Sequence, residues 1–197
     1  MSHSQLFALE EEKKKIKPKE EIVPNKFHKY LDTIFSEREV GTLSPRSKYD
    51  HKIDLKPGFI PKRGVLFRQG PTQDQATREF LDENLEKGFI RESKSPQAAT
   101  LFFIPKKDGR TRPVQDYRYL NEWTVKNAYP LPCIDDLINK LVRKKLFIKM
   151  DIRWEYNNVR IHEGDKWKAA FICKYGLYEP LVMFFGLTNS PATFQLR

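Results

Sequence analysis

The sequence contains few of the residues on which metal clusters, disulfide frameworks and membrane spans depend. It has two cysteines, Cys133 and Cys173, no Cys-x-x-Cys pair, and no histidine cluster near either cysteine. This excludes a zinc site of the usual ligand spacing and a disulfide framework, and we expect both thiols to be reduced and buried. No apolar run approaches the length of a bilayer span, and no secretory signal opens the chain. We therefore expect a soluble, intracellular protein without a membrane partner.

Positive charge is what the sequence has in excess. Its 36 lysine and arginine residues outnumber its 26 aspartate and glutamate residues, giving a net charge of +10. Such a balance favours binding to a nucleic-acid backbone through counterion release, although solubility alone remains an alternative. With 197 residues, 39% of them hydrophobic and 31% charged, the chain is long enough for one folded domain with solvated extensions.

Composition divides the chain into three segments. Residues 1–40 combine a charged tail, which lacks the apolar residues to fold by itself, with five residues at the spacing of one helical face: Phe27, Tyr30, Leu31, Ile34 and Phe35. These five predict a short amphipathic helix. Residues 41–71 are interrupted by proline and glycine and predict an extended strap with period-two alternation at His51, Ile53 and Leu55. Residues 72–197 carry the periodic patterns of a folded domain.

The clearest helix signal lies at the start of that third segment. Thr72 and Gln75 form a capping-box pattern, and Gly88 is a suitable terminator, so we predict a helix over Thr72–Lys87. Its apolar stripe consists of Phe80, Leu81 and Leu85.

A hairpin is predicted next. Leu101–Ile104 and Arg112–Asp116 have strand patterns, and the Lys-Lys-Asp-Gly sequence between them supplies an Asp-Gly step that suits a tight turn. Three further strands are predicted at Phe147–Asp151, Lys168–Phe171 and Leu181–Met183.

Two helices complete the pattern. One is predicted from the apolar spacing of Ile134, Leu137, Ile138 and Leu141. The other begins at the end of the chain, with Ser190 as N-cap and Pro191 as its first residue.

Six sequence blocks together resemble a known family. They are Gly88–Pro96, Lys106–Gly109, Arg112–Asn121, Tyr129–Pro132, Phe147–Asn157 and Val182–Gln195. In order and spacing they resemble the successive blocks of Ty3/gypsy-type retrotransposon reverse transcriptases. A single block is weak evidence, whereas six in register make chance agreement very small.

The resemblance implies an α+β fold. Residues 72–197 would form the fingers and an incomplete palm of a right-hand polymerase, preceded by the strap and the charged tail. The implied activity is RNA-directed DNA synthesis, in which deoxynucleoside triphosphates are added to a primer on an RNA or RNA–DNA hybrid template with Mg²⁺ as cofactor. The implied context is a Gag-Pol-type polyprotein in the cytoplasm, with the nucleus or a virus-like particle as alternatives.

The resemblance also implies a catalytic metal ligand. Asp151 would hold Mg²⁺ from the end of a palm strand, with the backbone carbonyl of Ile152 as an extra ligand at the nucleotide, because such hard cations prefer oxygen ligands. A turn or capping aspartate is the alternative.

Other positions match residues that bind substrates. Lys106 and Arg112 would close on the triphosphate, with Lys107 competing for the role of Lys106, although a lysine pair beside a hairpin turn is often a solvated edge. Asp116 and Arg118 would position the template, or form a structural ion pair.

Three aromatic or glycine positions complete the implied nucleotide site. Tyr156 would exclude a ribose 2′-hydroxyl, or simply pack in the core. Phe185 and Gly186 would line the nucleotide pocket, where a glycine lets the backbone approach the ligand.

Two departures from the family pattern stand out. Glu155 replaces a small residue, and we expect its bulk and charge to disfavour nucleotide binding. The Tyr-x-Asp-Asp motif, which supplies the other metal-binding carboxylates, does not occur in the sequence and would lie beyond Arg197, as would the thumb and any ribonuclease H domain. We therefore expect this chain to be inactive alone. A non-catalytic nucleic-acid-binding protein and a decayed gene fragment are the alternative interpretations.

Overall fold

The computed structural model describes residues 18–35, 42–105, 111–129, 133–147, 152 and 154–196. The chain divides into two units, Met1–Gly41 and Thr42–Arg197. The residues that the sequence assigns to function all belong to the second unit.

Among its described residues, 18–35, the first unit contains two short helical segments in place of the predicted amphipathic helix. Helix α1 spans Lys19–Ile22, and a 3₁₀-helix spans Asn25–Tyr30. The apolar residues after Tyr30 lie in turns, and Ile34 is exposed. So short a segment forms too few backbone hydrogen bonds to offset helix nucleation. The prediction of one continuous helical face is therefore wrong.

Helix α2 spans Pro71–Glu86 and confirms the predicted helix. Proline at the first position loses no hydrogen bond, since that N–H has no partner inside a helix. The predicted capping box is wrong, because no side chain caps the helix and Gln75 Nε2 instead donates to Glu79 Oε1 at 2.9 Å. Thr77, Phe80, Leu81 and Asn84 form the buried face, whereas Leu85, predicted in the stripe, is 41% exposed. Gly88 follows the helix at φ +66, as its assignment as terminator requires.

Within the described residues, the strands form one five-stranded sheet in the order β1-β5-β4-β2-β3. The strands are β1 (Ile90–Glu92), β2 (Ala99–Pro105), β3 (Thr111–Gln115), β4 (Phe171–Cys173) and β5 (Gly176–Pro180). All neighbouring pairs are antiparallel except β2 and β4. The predicted hairpin is confirmed as β2 and β3, although the turn between them lies outside the described residues. β3 is an edge strand, so a cavity can reach both of its faces.

The remaining strand predictions need correction. Lys168 lies in a 3₁₀-helix, Glu163–Ala169, and β4 begins only at Phe171. Val182 makes a single bridge to Arg160 instead of a strand over Leu181–Met183. β5 was not predicted, because glycine and proline at its two ends are turn signals in a sequence. Phe147 is in no strand, and the rest of the predicted strand Phe147–Asp151 lies outside the described residues.

The strap is held against the domain by buried hydrogen bonds. His51 and Ile53 are buried, as the alternation predicts, and Leu55 is half-buried. His51 Nδ1 lies 2.8 Å from Thr193 Oγ1, and Ile53 N–H donates to Asp165 Oδ2 at 2.9 Å. Ile53 packs in the same core as Leu101, Leu120, Ile161 and Phe171.

Three more α-helices follow β3 among the described residues: α3 (Arg118–Trp123), α4 (Ile134–Leu141) and α5 (Ser190–Gln195). The helix predicted around Ile134 is confirmed as α4, and its apolar residues are exposed. The final helix is also confirmed, with Asn189 at the N-cap position in place of Ser190. Of the two free cysteines, Cys173 is buried as predicted and Cys133 is exposed, because it precedes the exposed helix α4.

Candidate functional site

The first cavity lies between α2, β3 and the 184–186 turn, and we call it the helix cavity. It has a volume of about 560 Å³. Its aromatic lining residues are Phe80, Phe89, Trp154, Phe184 and Phe185. Arg112 and Gly186 also line it, so the structure brings together three residues assigned to nucleotide binding from the sequence, Arg112, Phe185 and Gly186. An arginine beside several rings suits a ligand with an anionic end and a flat apolar end.

The turn at Gly186 is positioned by a residue to which the sequence assigned no function. Gly186 has φ +99, a conformation that L-residues rarely adopt. Asn121 Nδ2 donates to Gly186 O at 2.7 Å, and Thr188 N–H donates to Asn121 Oδ1 at 2.9 Å. Asn121 therefore ties α3 to the turn. The only sequence signal for it was its place at the end of the block Arg112–Asn121.

Trp154 is another residue to which no function was assigned, and it lines the helix cavity. Its backbone lies at φ +50, and the Lys87 ammonium lies 3.6 Å from the centroid of the indole ring. Phe89 packs edge-on against the same ring, with centroids 6.3 Å apart. These contacts offset the cost of a left-handed backbone at a bulky residue. No periodicity in the sequence indicates such a conformation.

Tyr156 lies next to the helix cavity without lining it. Its ring centroid is 4.8 Å from that of Phe185 and 5.9 Å from that of Phe194. Burial raises the pKa of the Tyr156 hydroxyl, and the charge of Glu155 adds to this effect. Glu155 and Ile152 are also described, and neither is among the lining residues. Glu155 therefore does not contact this cavity directly, although we expected it to crowd a nucleotide.

The second cavity has a volume of about 610 Å³ and is lined by the strap, so we call it the strap cavity. Its charged lining residues are Lys62, Arg63, Asp116, Arg118 and Glu122. Asp116 and Arg118 form a bidentate ion pair, with Arg118 Nε at 2.8 Å from Asp116 Oδ1 and Arg118 Nη2 at 2.6 Å from Asp116 Oδ2. The hydrogen bonds from Arg118 lower the pKa of the Asp116 carboxyl. The structural ion pair is therefore present, and template contact by these residues stays a prediction.

The wall of the strap cavity depends on a close backbone approach. Gly64 N–H donates to Ala98 O at 2.7 Å, and Thr100 Oγ1 donates to Val65 O at 2.9 Å. A Cβ on Gly64 would lie 2.8 Å from the Thr100 backbone nitrogen, closer than real side chains approach. Glycine is required here because the strap runs directly beside the start of β2.

Several predicted residues lie outside the described part of the chain. These are the metal ligand Asp151 and the two candidate lysines Lys106 and Lys107. Among the residues that are described, no three or more histidine, cysteine, aspartate or glutamate side chains cluster as metal ligands would. In the same part of the chain, no helix has the length and apolar character needed to cross a bilayer.

Comparison with known proteins supports the resemblance found in the sequence. Residues 104–197 match the family described as reverse transcriptase (RNA-dependent DNA polymerase). The Tf2-3 and Tf2-7 transposon polyproteins of Schizosaccharomyces pombe are each 41% identical to this chain over 125 residues, or 64% of the chain. These matches support a fragment of a retrotransposon reverse transcriptase. It spans 9% of the length of each of these polyproteins. Reverse transcriptases generally use divalent metal ions.

Solved structures show the same fold. The native protease–reverse transcriptase of prototype foamy virus matches with a TM-score of 0.68 and 23% identity, covering 88% of this chain and 24% of that one. A foamy viral protease–reverse transcriptase in complex with an RNA/DNA hybrid matches with a TM-score of 0.65 and 19% identity over the same shares. The α+β fold is thus that of reverse transcriptase fingers and palm.

Proposed function

We propose that this chain forms the fingers and the start of the palm of an RNA-directed DNA polymerase. The helix cavity receives the deoxynucleoside triphosphate, and the strap cavity holds the template strand. The remainder of a polyprotein supplies the other parts of the polymerase.

The observation that supports this proposal is that consecutive residues of one segment line first one cavity and then the other. Arg112, Pro113, Val114 and Gln115 line the helix cavity, whereas Asp116, Arg118 and Tyr119 line the strap cavity. One short stretch, from β3 into α3, therefore contributes to both. A polymerase needs this proximity, because the incoming nucleotide must pair with the template base beside it.

The charge of the strap cavity supports a nucleic-acid strand there. Lys62, Arg63 and Arg118 provide cations for phosphates, and Phe67 and Tyr119 provide rings on which bases can stack. The foamy viral relative bound to an RNA/DNA hybrid supports the choice of ligand.

The metal-dependent step is assigned to residues outside the described part of the chain. We propose that Asp151 holds Mg²⁺ together with carboxylates that this sequence does not contain. A bound metal would polarise the primer hydroxyl and stabilise the charge on the phosphates. Tyr156, packed against Phe185 beside the cavity, would limit the space at the 2′ position of the sugar.

The proposal is tested by nucleotide binding that depends on the template. The purified 197-residue protein is mixed with a primer–template whose first unpaired template base is uracil, and dATP and dGTP are titrated in turn by calorimetry. We expect dATP to bind several times more tightly than dGTP, and the preference to reverse when the template base is cytosine. A protein that only binds nucleic acid would show no preference. Equal affinities with both templates would contradict the placement of the two sites side by side.

A further inference from the structure

Gln115 is the last residue of β3, and its side chain is in an unusual situation. The residue is only 4% exposed, it lines the helix cavity, and its amide nitrogen Nε2 has no hydrogen-bond partner among the described residues. A buried donor without a partner is destabilising, because it has lost its hydrogen bonds to water without replacement.

Other buried amides of the domain are paired. Asn84 Nδ2 donates to Phe80 O at 2.7 Å, and Asn189 Nδ2 donates to Val125 O at 2.8 Å. Both of these side chains stabilise local backbone. Gln115 makes no such bond through Nε2, and the residue lines the helix cavity, so a ligand in that cavity is a candidate partner for the donor.

The position of Gln115 along β3 indicates which part of a ligand it would meet. Arg112 lies three residues earlier on the same strand, which corresponds to about 10 Å at the usual strand rise. A nucleotide with its phosphates at Arg112 and its long axis along β3 would bring its nucleoside end to Gln115, which lines the same cavity as Phe184 and Phe185. That end carries acceptor atoms on the sugar and the base.

We propose that Gln115 is a specificity-determining residue of the helix cavity, where its amide donates a hydrogen bond to an acceptor atom of the nucleoside. This inference rests on the proposed function, because it requires a nucleotide in this cavity. It adds a hydrogen-bond donor to a pocket that has five rings in its lining, and a site built to donate such a bond discriminates against ligands that lack the acceptor.

The test removes the donor without shortening the side chain. In Gln115→Met, we expect the dissociation constant for dATP to rise about five- to tenfold, the usual effect of losing one hydrogen bond to a ligand. We expect the ligand-free melting temperature to stay the same or rise, because an unpaired buried donor has been removed. The control is Asn189→Leu, which removes a paired amide away from both cavities. It should lower the melting temperature and leave dATP affinity unchanged.

A second measurement locates the acceptor atom. Wild type and Gln115→Met are titrated with dATP, its 7-deaza analogue and its 2′,3′-dideoxy analogue. We expect the variant's disadvantage to disappear for the analogue that lacks the acceptor, and an equal disadvantage for every analogue would assign the bond to another sugar or base atom.

The outcomes separate this inference from the function on which it rests. If wild type binds dATP and Arg112→Ala does not, while Gln115→Met binds as well as wild type, the inference is wrong and the nucleotide site stands. A fall in the melting temperature of Gln115→Met with unchanged affinity would show a structural role and would also overturn it. If wild type itself fails to bind dATP, both are overturned.

Discussion

One stretch of chain, from β3 into α3, contributes to both cavities, yet the two differ in what lines them. The helix cavity presents five aromatic rings together with Arg112, Lys87 and Glu83. The strap cavity presents three cations, Lys62, Arg63 and Arg118, against the two carboxylates of Asp116 and Glu122. The first composition suits a compact ligand with a defined orientation, and the second suits a polyanionic strand held without base readout.

The cavities also differ in how their walls are supported. The helix cavity is enclosed by α2, β3 and a turn that Asn121 fixes in place. The strap cavity has one wall made of an extended segment, which hydrogen bonds at its buried residues hold to the domain. Changes to the strap should therefore damage the strap cavity and leave the helix cavity intact.

The largest effect is expected from protonation of His51, which anchors the strap. Burial lowers the pKa of His51 from 6.5 to about 4, although the charges of Asp165 and Asp54 oppose the shift. The unfolded chain therefore binds the proton more readily than the folded protein does. The contribution of His51 to the free energy of unfolding is complete above pH 6.5 and decreases as the pH falls towards 4. At ~1.4 kcal/mol per pKa unit, the free energy of unfolding should decrease by about 3 kcal/mol. Urea denaturation between pH 7 and pH 4 measures it.

The control for this prediction is His51→Gln, which cannot titrate. This variant should be less stable at pH 7 and should lose less stability towards pH 4 than wild type. The same pH dependence in both proteins would assign the effect to the carboxylates and not to His51.

Substitution of Arg112 should affect the helix cavity only. Hydrogen bonds between charged groups contribute about 1.5–3 kcal/mol, so Arg112→Ala should weaken dATP binding by about 10- to 100-fold. Hybrid affinity, measured by fluorescence anisotropy, should change by less than about twofold, because the guanidinium is not in the strap cavity. Arg112→Lys keeps the charge without the bidentate geometry, so its dATP affinity should lie between those of wild type and Arg112→Ala. A parallel loss of both affinities would mean that the cavities are not separate sites.

Substitution of Gly64 should damage the strap cavity. A Cβ at Gly64 would meet the backbone nitrogen of Thr100 at 2.8 Å, so Gly64→Ala must displace the strap from β2. We expect a loss of about 1–3 kcal/mol in stability, as for other overpacked sites, with weaker hybrid binding and normal dATP binding. Gly70→Ala is the matched control, because no atom lies within 4 Å of a Cβ there. If Gly64→Ala and Gly70→Ala have the same stability and the same hybrid affinity, the strap does not approach the sheet as closely as we describe.

The same contrast explains which features could be predicted from the sequence. The hairpin of β2 and β3 follows from two strand patterns around an Asp-Gly step, and the burial of His51 and Ile53 follows from period-two alternation. Both signals are local. Helix α4 also follows from its spacing, yet Ile134 is 74% exposed, since periodicity predicts an apolar face but not its partner.

The parts of the site that were missed depend on tertiary structure. Asn121 acts through a turn 65 residues away in the chain. Trp154 depends on a left-handed backbone that Lys87 and Phe89 stabilise. Gln115 stands out only because its buried amide nitrogen lacks a partner. None of these is a property of neighbouring residues, so no local pattern indicates it.

Two cations of the strap cavity should differ in how much they contribute to hybrid binding, and this effect is smaller. The Arg118 guanidinium is already paired with Asp116, whereas Lys62 lies above the Tyr119 ring at 5.5 Å. We expect Lys62→Ala to weaken hybrid binding about threefold at low salt and to reduce the salt slope by about one. The double variant Asp116→Ala, Arg118→Ala should do less, because it removes a pair that has no net charge. A larger effect of the double variant would indicate that the ion pair opens to bind the template.

The smallest effect is expected at Glu155, which the sequence marked as a departure. Glu155 does not line the helix cavity, so its charge acts on a bound triphosphate only across solvent, where such interactions are weak. We expect Glu155→Gly to improve dATP affinity by less than about twofold.

Its main influence should fall on Tyr156. The Glu155 charge helps to raise the pKa of the Tyr156 hydroxyl, so Glu155→Gln should lower that pKa, as measured by ultraviolet difference titration against Tyr156→Phe. Glu155→Gln removes the charge and keeps the size, whereas Glu155→Gly removes both, so the pair separates repulsion from bulk. A tenfold gain in dATP affinity with Glu155→Gly alone would show that the side chain obstructs the nucleotide. The triphosphate would then lie nearer to residue 155 than the helix cavity allows.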